Sequence, residues 1–577
     1  MHGKRTEHVA AARRDGALSP CSVCARAERR TSRTHRVGAR LARARDRWPL
    51  HATMRFPSSV WTGLLGLVVA LGIAGWLRAA SRTDVEDLGP RPDALEYEEG
   101  ARNLLAGDGY SLIVNGAVYP PRYPPGFSLL LVPVLAVADD GPGTGIVVVQ
   151  GCALLTIVAA FLIGRRVAGP LGGAAAAVLL AVAPAHVVWS RAVMSDVPAA
   201  CMVTWILLGA MVVAAGGSPS QWALLGLATG LAGALRMTNL AVAVPLLVAA
   251  LRSPRDRARA AATCAAGVAV GLAPLLAYDL VRFGSPLRTG YDVWSPGTFF
   301  AWRYVSGAPA GGGTEPNLSF YARALLGFGD LYSWPIAALV LLGAAVGIGQ
   351  GGRRRELVIL AVALVVPLLG AQLAFFWQGT RFLLPIVPAL LCVAVVPLGV
   401  AAPRWLRVAA ALLVVAGIAQ LSSQALLYRS ALRTGEPSAL AKFDAVVPPD
   451  AALLLHASEP MVRRFLRRPG TDRLWIRLAA DPHQLTVKMN RLVPESGPTE
   501  PPDWIRPVVG PETVVARVDA LLDAGRPVYL STLLTHKDKS FPQLVTVLAR
   551  TFDRELVART DDGTELYALH RRGAPAR

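Results

Sequence analysis

Charged residues are scarce in this chain: they make up 17% of its 577 residues, whereas hydrophobic residues make up 53% and the mean hydropathy is +0.42. A soluble globular domain carries about 25% charged residues, so this balance excludes an ordinary soluble protein. The apolar residues come in blocks of about 15–24 residues, the length that membrane-spanning helices require, separated by short polar or basic links. The composition therefore predicts a polytopic membrane protein.

Lysine is nearly absent, so arginine carries almost all of the basic charge behind the formal net charge of +20. The arginines fall largely in the N-terminal tail, in the short links between apolar blocks and in the C-terminal region. Positive residues in such links orient membrane helices. The charge therefore predicts a membrane partner and no nucleic acid.

Cysteine is also sparse, with six residues, and it provides no disulfide framework. Four lie singly in apolar blocks, where cysteine is usually a small core residue. Cys21 and Cys24 form one "CSVC" pair without a second pair or a suitably spaced histidine, and no metal site is predicted from it.

The chain divides by composition into three parts. Residues 1–53 are arginine-rich, lack an apolar run and are predicted to be a disordered tail. Residues 54–428 hold the apolar blocks, with a long first outer loop at 82–143. Residues 429–577 alternate short strands, such as "AALLLHA", with amphipathic helices, such as "ETVVARVDALLDAG", and predict a small soluble α/β domain.

About eleven membrane spans are predicted, and their order is tested by the positions of the basic links. With a cytoplasmic N-terminus, four links fall inside and the C-terminal domain falls outside, provided that residues 221–251 form a hairpin of two short helices with "RMTN" at its tip. One long helix there would move "RSPRDRAR" outside. The predicted spans are 59–80, 144–164, 171–190, 197–216, 221–235, 238–251, 259–281, 333–350, 356–376, 382–400 and 404–427.

The first outer loop contains a helix-like segment, "PDALEYEEGARNLLA", with proline at its first position and Gly107 as a stop. Asp93, Tyr97 and Leu104 share one face, whereas Glu98 and Glu99 are predicted to face solvent. An acidic surface helix with Asp93 in its first turn explains this spacing slightly better than a catalytic site does. The following "GFSLLLVPVLAV" is too short to span and is predicted to lie in the membrane interface.

Further charged and polar residues are predicted at the same outer end of the spans. Charges near the hydrocarbon cost about 2.5–3.5 kcal/mol each on insertion scales, so they usually face a cavity or a partner. Each arginine alone is also explained as an interfacial anchor. Acids and arginines together favour an anionic ligand; the residues are Arg122, Tyr123, Arg191, Asp196, Arg236, Asn239 and Arg381.

Six segments in order resemble the GT-C membrane glycosyltransferases, in the branch of the dolichyl-phosphate-mannose protein mannosyltransferases (glycosyltransferase family 39) and the aminoarabinose transferases. The resemblance covers roughly residues 59–400, and no single segment is specific alone. The segments are "PDALEYEEGARNLLAGDGYS", "YPPGFSLLLVP", "SRAVMSDVPA", "GALRMTNLAVAVPLL", "RFGSPLRTGY" and "GTRFLLPIVPAL".

The resemblance implies transfer of a sugar, with inversion, from a polyprenyl-phosphate carrier to a hydroxyl of a lipid, glycan or protein on the extracytoplasmic face of the cell membrane. By position, Asp93 matches the general base and Asp196 a second acid. The remaining residues are expected to bind substrate: Arg122 and Tyr123 with the phosphate, Arg236 and Arg381 as weaker phosphate contacts, and Glu96, Tyr97, Arg102, Arg191 and Asn239 around the pocket.

Asp93 is followed by Ala94, where related enzymes that modify proteins often have an adjacent acidic pair, which weakens the expectation of a protein acceptor. No cofactor is expected, although some members of the class use a divalent cation. Two other functions compete with the transferase: a flippase for lipid-linked sugars, which should expose polar groups through both leaflets, and a non-catalytic scaffold, which needs no acid in the first loop.

Overall fold

A computed structural model describes most of the chain between Ser58 and Gly573. The described residues are 58–78, 92–114, 117–138, 144–254, 256–294, 300–307, 309, 314–399, 401–430, 436–456, 473–479, 508–534, 541–561 and 563–573. The predicted tail of residues 1–53, with its Cys21–Cys24 pair, lies outside these ranges.

Helices occur at all eleven predicted spans, and the fold is that of a helical polytopic membrane protein as expected. Seven helical segments in the described part are long and apolar enough to cross a membrane, including Asp196–Val213 and Arg257–Phe283. The helices of this bundle are α1 (Ser58–Arg78), α4 (Ile146–Val182), α5 (Pro184–Trp189), α6 (Asp196–Val213), α7 (Pro219–Leu235), α8 (Ala243–Leu251), α9 (Arg257–Phe283), α13 (Trp334–Gln350), α14 (Gly352–Ala374), α15 (Val387–Ala394) and α16 (Arg404–Ser430).

Short elements connect or extend these helices. Between α9 and α13 lie α10 (Gly290–Trp294), α11 (Arg303–Ser306) and α12 (Asn317–Leu325), and 3₁₀ turns cover Met237–Val242, Thr380–Ile386 and Val396–Leu398. The first and second of these turns precede α8 and α15, so each predicted span there begins as a tight turn and continues as a helix.

Helix α4 contains two of the predicted spans and reverses direction at Gly169. Gly169 has a positive φ of 78°, an angle that residues with side chains rarely adopt, and it is followed by Pro170, which cannot donate a helical hydrogen bond. A Cβ atom built on Gly173 would lie 2.8 Å from the carbonyl oxygen of Phe161, whereas twelve residues of straight helix would separate the two by about 18 Å. The limbs 146–168 and 170–182 are therefore an antiparallel hairpin, as predicted.

The hairpin predicted for residues 221–251 is confirmed. Arg236 breaks the helix with extended backbone angles, φ −159° and ψ 120°. Gly226 of α7 lies against Cys264 of α9, and Gly230 lies against Val268. Residue numbers increase in the same direction along the two helices, so α7 and α9 run parallel. Helix α8, which lies between them in the chain, must therefore run in the opposite direction.

Glycines allow α7 and α9 to approach each other closely. A Cβ atom on Gly226 would meet the Cys264 carbonyl oxygen at 2.1 Å, and one on Gly230 would meet the Val268 carbonyl oxygen at 2.4 Å. Gly267 and Gly271 of α9 make the reciprocal contacts with Ala223 and Leu227. Two facing small-xxx-small pairs of this kind are a common way to pack membrane helices, and here they hold α7 against α9.

Between α1 and α4, the described part of the first outer loop forms α2 (Pro92–Ala106), strands β1 (Leu112–Val114) and β2 (Ala117–Tyr119), and α3 (Gly126–Leu135). The two strands pair antiparallel, which the sequence analysis did not predict. Helix α3 has ten residues and is about 15 Å long, too short to span, in agreement with the prediction.

The prediction that Glu98 and Glu99 face solvent is wrong for Glu98, which is 1% exposed. Glu98 Oε1 accepts the backbone N–H of Gly145 at 3.3 Å, and Glu96 Oε1 accepts that of Arg122 at 2.5 Å. Glu96 and Glu98 of α2 are therefore covered by the neighbouring loops whose backbone they bind. The Glu99 side chain is partly exposed.

The C-terminal region forms a six-stranded sheet of order β5-β4-β3-β6-β8-β7. Neighbouring strands from β5 to β6 in this order are parallel, whereas β8 is antiparallel to both of its neighbours, β6 and β7. Three strands were predicted, from "AALLLHA" (β3), "RPVYLST" (β6) and "ELYALH" (β8), and two of the three helices, from "ETVVARVDALLDAG" (α18) and "FPQLVTVLARTF" (α19). The elements are α17 (Glu436–Val446), β3 (Ala452–His456), β4 (Leu474–Ala479), β5 (Val508–Val509), α18 (Pro511–Asp523), β6 (Val528–Leu534), α19 (Phe541–Thr551), β7 (Phe552–Arg559) and β8 (Glu565–Arg571).

The glycine contacts make a stability prediction. Gly230→Ala should lower the melting temperature in detergent, because the new methyl group overlaps the α9 backbone and overpacking typically costs 1–3 kcal/mol. Gly370→Ala is the matched control, since a Cβ there meets nothing within 4 Å and alanine is the better helix former. Equal melting temperatures for the two variants would contradict the close packing.

Candidate active site

Asp93 lies in the first turn of α2 and forms an ion pair across the bundle. Its Oδ2 accepts a hydrogen bond from Arg381 Nη2 at 3.3 Å. Arg381 is in the 3₁₀ turn Thr380–Ile386, 288 residues further along the chain. The Asp93 side chain is 24% exposed, so the pair lies at the edge of the bundle and Asp93 can be reached from outside it.

Asp196 begins α6 and is paired with Arg236, which donates from Nη1 to Asp196 Oδ1. The Asp196 side chain is 1% exposed, and its Oδ2 is buried without a hydrogen-bond partner among the described residues. A carboxylate at a helix N-terminus is favoured by the helix dipole. The break between α7 and the following 3₁₀ turn brings Arg236 to this position.

Phe382 joins the two ion pairs. The guanidinium groups of Arg236 and Arg381 each lie 5.0 Å from the centre of its ring. Arg381 also lies 5.0 Å from the ring of Trp189. Such cation–π contacts are worth about 0.5–2 kcal/mol each, and together with the two carboxylates they hold two like charges close together.

An aromatic cluster connects α2 to the rest of the site. Tyr97 stacks on Tyr123 with ring centres 4.7 Å apart and meets the edge of Phe127 at 4.9 Å. Its hydroxyl group hydrogen-bonds with Ser195 Oγ at 3.1 Å, the residue just before Asp196. Tyr123 in turn contacts Tyr291 at 5.6 Å. The two acids are thus positioned by one packed set of side chains.

Arg122 is the third arginine of the site. Its guanidinium lies 5.7 Å from the Tyr123 ring centre. Burial opposes its charge, but the interactions with Tyr123, Glu96 and Asp93 outweigh burial and raise the pKa of Arg122. Arg122 is therefore a permanent cation beside Asp93.

Tyr291 was not predicted as a site residue, although it ends the segment "RFGSPLRTGY". Burial raises the pKa of Tyr291 to about 12, so its hydroxyl stays protonated and can donate a hydrogen bond. The charges that act on it include those of Arg236, Asp93, Arg122 and Arg381. Tyr291 therefore belongs to the same group, and its signal in the sequence was its place in that segment.

Two predicted substrate-binding residues have structural partners, and a third is buried. Arg102 pairs with Glu98 at 3.6 Å, one helical turn away on α2. Asn239 is fully buried, and its amide donates to the Ala232 carbonyl oxygen at 3.0 Å, near the end of α7. Arg191 is 4% exposed in the turn before α6. Direct substrate contacts for these three stay predictions.

The arrangement combines three guanidinium groups with two carboxylates of different exposure. Arginine binds phosphate with several directed N–H groups, and an accessible carboxylate can accept a proton from a hydroxyl. Within the described residues, no group of three or more histidine, cysteine or acidic side chains could hold a metal ion.

Comparisons with known proteins agree with this chemistry. Residues 122–280 match the family model described as dolichyl-phosphate-mannose-protein mannosyltransferase, a range that includes Arg122, Asp196 and Arg236 but not Asp93 or Arg381. No curated protein matches the chain in sequence.

The fold is similar to that of ArnT from Cupriavidus metallidurans. The crystal structure bound to undecaprenyl phosphate matches with a TM-score of 0.58 and 17% identity, and the apo structure with 0.59 and 16%; each covers 89% of this chain and 98% of that chain. The oligosaccharyltransferase of Archaeoglobus fulgidus matches with a TM-score of 0.49 and 12% identity, over 89% of this chain and 75% of that chain. The predicted resemblance to the GT-C membrane glycosyltransferases is confirmed, through the family model over residues 122–280 and through the fold shared with ArnT.

The buried ion pair predicts a non-additive effect on stability. Asp196→Asn should lower the melting temperature strongly, because it leaves Arg236 without its charge partner. Breaking a buried pair costs about 3–5 kcal/mol, and somewhat less here since the Arg236 side chain is 19% exposed.

The double variant Asp196→Asn/Arg236→Met removes both charges and should melt at a higher temperature than Asp196→Asn alone. Thermal unfolding of the wild type, both single variants and the double variant measures this coupling. Additivity of the two single effects would mean that the pair is not coupled in solution.

Proposed function

We propose that this chain transfers a sugar from a polyprenyl-phosphate carrier to a hydroxyl acceptor, at the end of the bundle that carries Asp93 and Asp196. The observation that carries the proposal is the convergence of Arg122, Arg236 and Arg381 around these two carboxylates. The arginines suit a lipid phosphate, and a carboxylate suits activation of a hydroxyl.

The phosphate of the donor is assigned to the arginines. Negative charge grows on this leaving group as the bond to the sugar breaks, and preorganised cations stabilise such charge in the transition state. Arg122 is held beside Tyr123 through its backbone, whose N–H binds Glu96. The neighbour ArnT was solved with undecaprenyl phosphate bound, which supports a lipid-phosphate carrier for this fold.

Asp93 is assigned as the general base. A hydroxyl acceptor must lose its proton to the carboxylate as its oxygen attacks the anomeric carbon, while the carrier phosphate leaves from the opposite face with inversion. Asp93 is the more accessible of the two acids, with 24% of its side chain exposed against 1% for Asp196. Asp196 is assigned to orient sugar or acceptor through its unpartnered Oδ2.

The reaction is proposed to take place on the extracytoplasmic face and without a metal ion. Basic links gather at the other end of the bundle, which the positive-inside rule assigns to the cytoplasm. Each site carboxylate is paired with an arginine through one oxygen, so a divalent cation bound there would share its ligand with a guanidinium cation that repels it.

Removing the base should abolish transfer with little change in stability. Asp93→Asn keeps the side-chain shape but cannot accept the proton, and we expect release of carrier phosphate from a panel of polyprenyl-phosphate sugars to fall about 10²–10⁴-fold. Asp108→Asn is the matched control, since Asp108 is an exposed acid just beyond the same helix. Full activity of Asp93→Asn would remove Asp93 from the mechanism.

Removing a phosphate contact should act on the donor. Arg122→Ala should raise the KM for the lipid-linked sugar by tenfold or more, since a charge-assisted hydrogen bond contributes about 1.5–3 kcal/mol, and change the KM for the acceptor little. Steady-state kinetics with each substrate varied in turn separate the two effects. An increase confined to the acceptor KM would place Arg122 on the acceptor side.

A further inference from the structure

A polar cavity lies at the end of the bundle away from the candidate active site. It has a volume of about 240 Å³, and its polar lining includes Arg166, Arg252, Arg353 and Glu356. Helix α6 runs between the two places: it begins at Asp196 and ends beside the cavity at Met211 and Ala214. Its 18 residues span about 27 Å, close to the thickness of a bilayer core.

The three arginines of this cavity come from three different links. Arg166 lies in the last turn of the first limb of α4, Arg252 follows α8, and Arg353 is in the first turn of α14. Orienting the helices requires only that basic residues occur in these links. It does not require that three links bring their arginines to the wall of one cavity.

The charges of the cavity are unbalanced. Glu356 is the one acid in its lining and feels the charges of all three arginines. Arg166 donates from Nη2 to the Met211 carbonyl oxygen at 3.1 Å, but its Nε is buried and has no hydrogen-bond partner among the described residues. The lining thus has three positive charges against the single negative charge of Glu356, and an anion in the cavity would balance them.

The rest of the lining is apolar, and exposed apolar residues are its neighbours in the chain. Met211, Ala249 and Leu360 line the cavity beside the arginines. Val212 and Leu251, next to Met211 and Arg252 in the chain, are each 48% exposed. The cavity therefore has a cationic part and an adjoining apolar part, which matches a molecule with a phosphate and an acyl chain.

We propose that this cavity binds the phosphate of an anionic phospholipid from the leaflet opposite to the candidate active site, with Arg166, Arg252 and Arg353 as its contacts. Basic pockets between membrane helices bind anionic headgroups through the same chemistry. The bound lipid would join α4, α6, α8 and α14 at this end of the bundle and stabilise the folded protein by mass action.

The test measures the melting temperature of the full chain in neutral detergent while phosphatidylglycerol or phosphatidylcholine is added. Phosphatidylglycerol should raise the melting temperature more than phosphatidylcholine. The double variant Arg252→Gln/Arg353→Gln should lose this difference and bind phosphatidylglycerol at least tenfold more weakly. Both side chains are exposed, so the variant should fold, and its melting temperature in phosphatidylcholine checks this.

The matched control is Arg257→Gln/Arg259→Gln, which removes the same charge from exposed positions of the first turns of α9, outside the cavity lining. It should retain the preference for phosphatidylglycerol. Equal losses in the two double variants would mean a diffuse electrostatic effect and would overturn the proposal. Stabilisation by inorganic phosphate alone, to the same extent as by phosphatidylglycerol, would replace the lipid with free phosphate and also overturn it.

Discussion

The buried ion pair between Asp196 and Arg236 is the contact on which the candidate site depends. An unpaired charge at this depth would be costly, so the start of α6 and the break after α7 must meet. The paired Arg236 then stacks on Phe382, which also contacts Arg381, and Arg381 reaches Asp93. One pair thus fixes the relative positions of four chain segments. The close glycine packing of α7 against α9 joins α9 to these four segments.

Charge patterning along the sequence was enough to predict the path of the chain through the bundle. The link "RSPRDRAR" distinguished one long helix from a hairpin in residues 221–251, because only the hairpin returns this link to the end that carries Arg166 and Arg353. The structure has that hairpin, and the break falls at Arg236. Membrane insertion penalises each misplaced charge separately, so a few arginines carry enough information to determine topology.

Side-chain surroundings in the first outer loop were harder to predict. Glu98 looked like part of a solvated acidic face, yet it is buried and binds a backbone N–H 47 residues away. Helical periodicity describes contacts within one helix and contains no information about loops that cover it later. The same limit applies to Tyr291 and Phe382, whose apolar or neutral side chains give no signal of chemistry until the fold places them beside Arg122, Arg236 and Arg381.

Pairing with carboxylates does not prevent the site arginines from binding a phosphate. A guanidinium group has five N–H donors in one plane, and Asp93 engages Arg381 through Nη2 alone at 3.3 Å. The Trp189 and Phe382 rings, each 5.0 Å from the Arg381 guanidinium, restrict how that plane can turn. An incoming anion must therefore approach Arg381 along the edge of that plane, where its oxygens compete with or lie next to Asp93. On the proposed function, Arg381 connects the base with the leaving phosphate, while the acceptor oxygen that Asp93 activates reaches the face of the anomeric carbon opposite to that phosphate, as an in-line displacement requires.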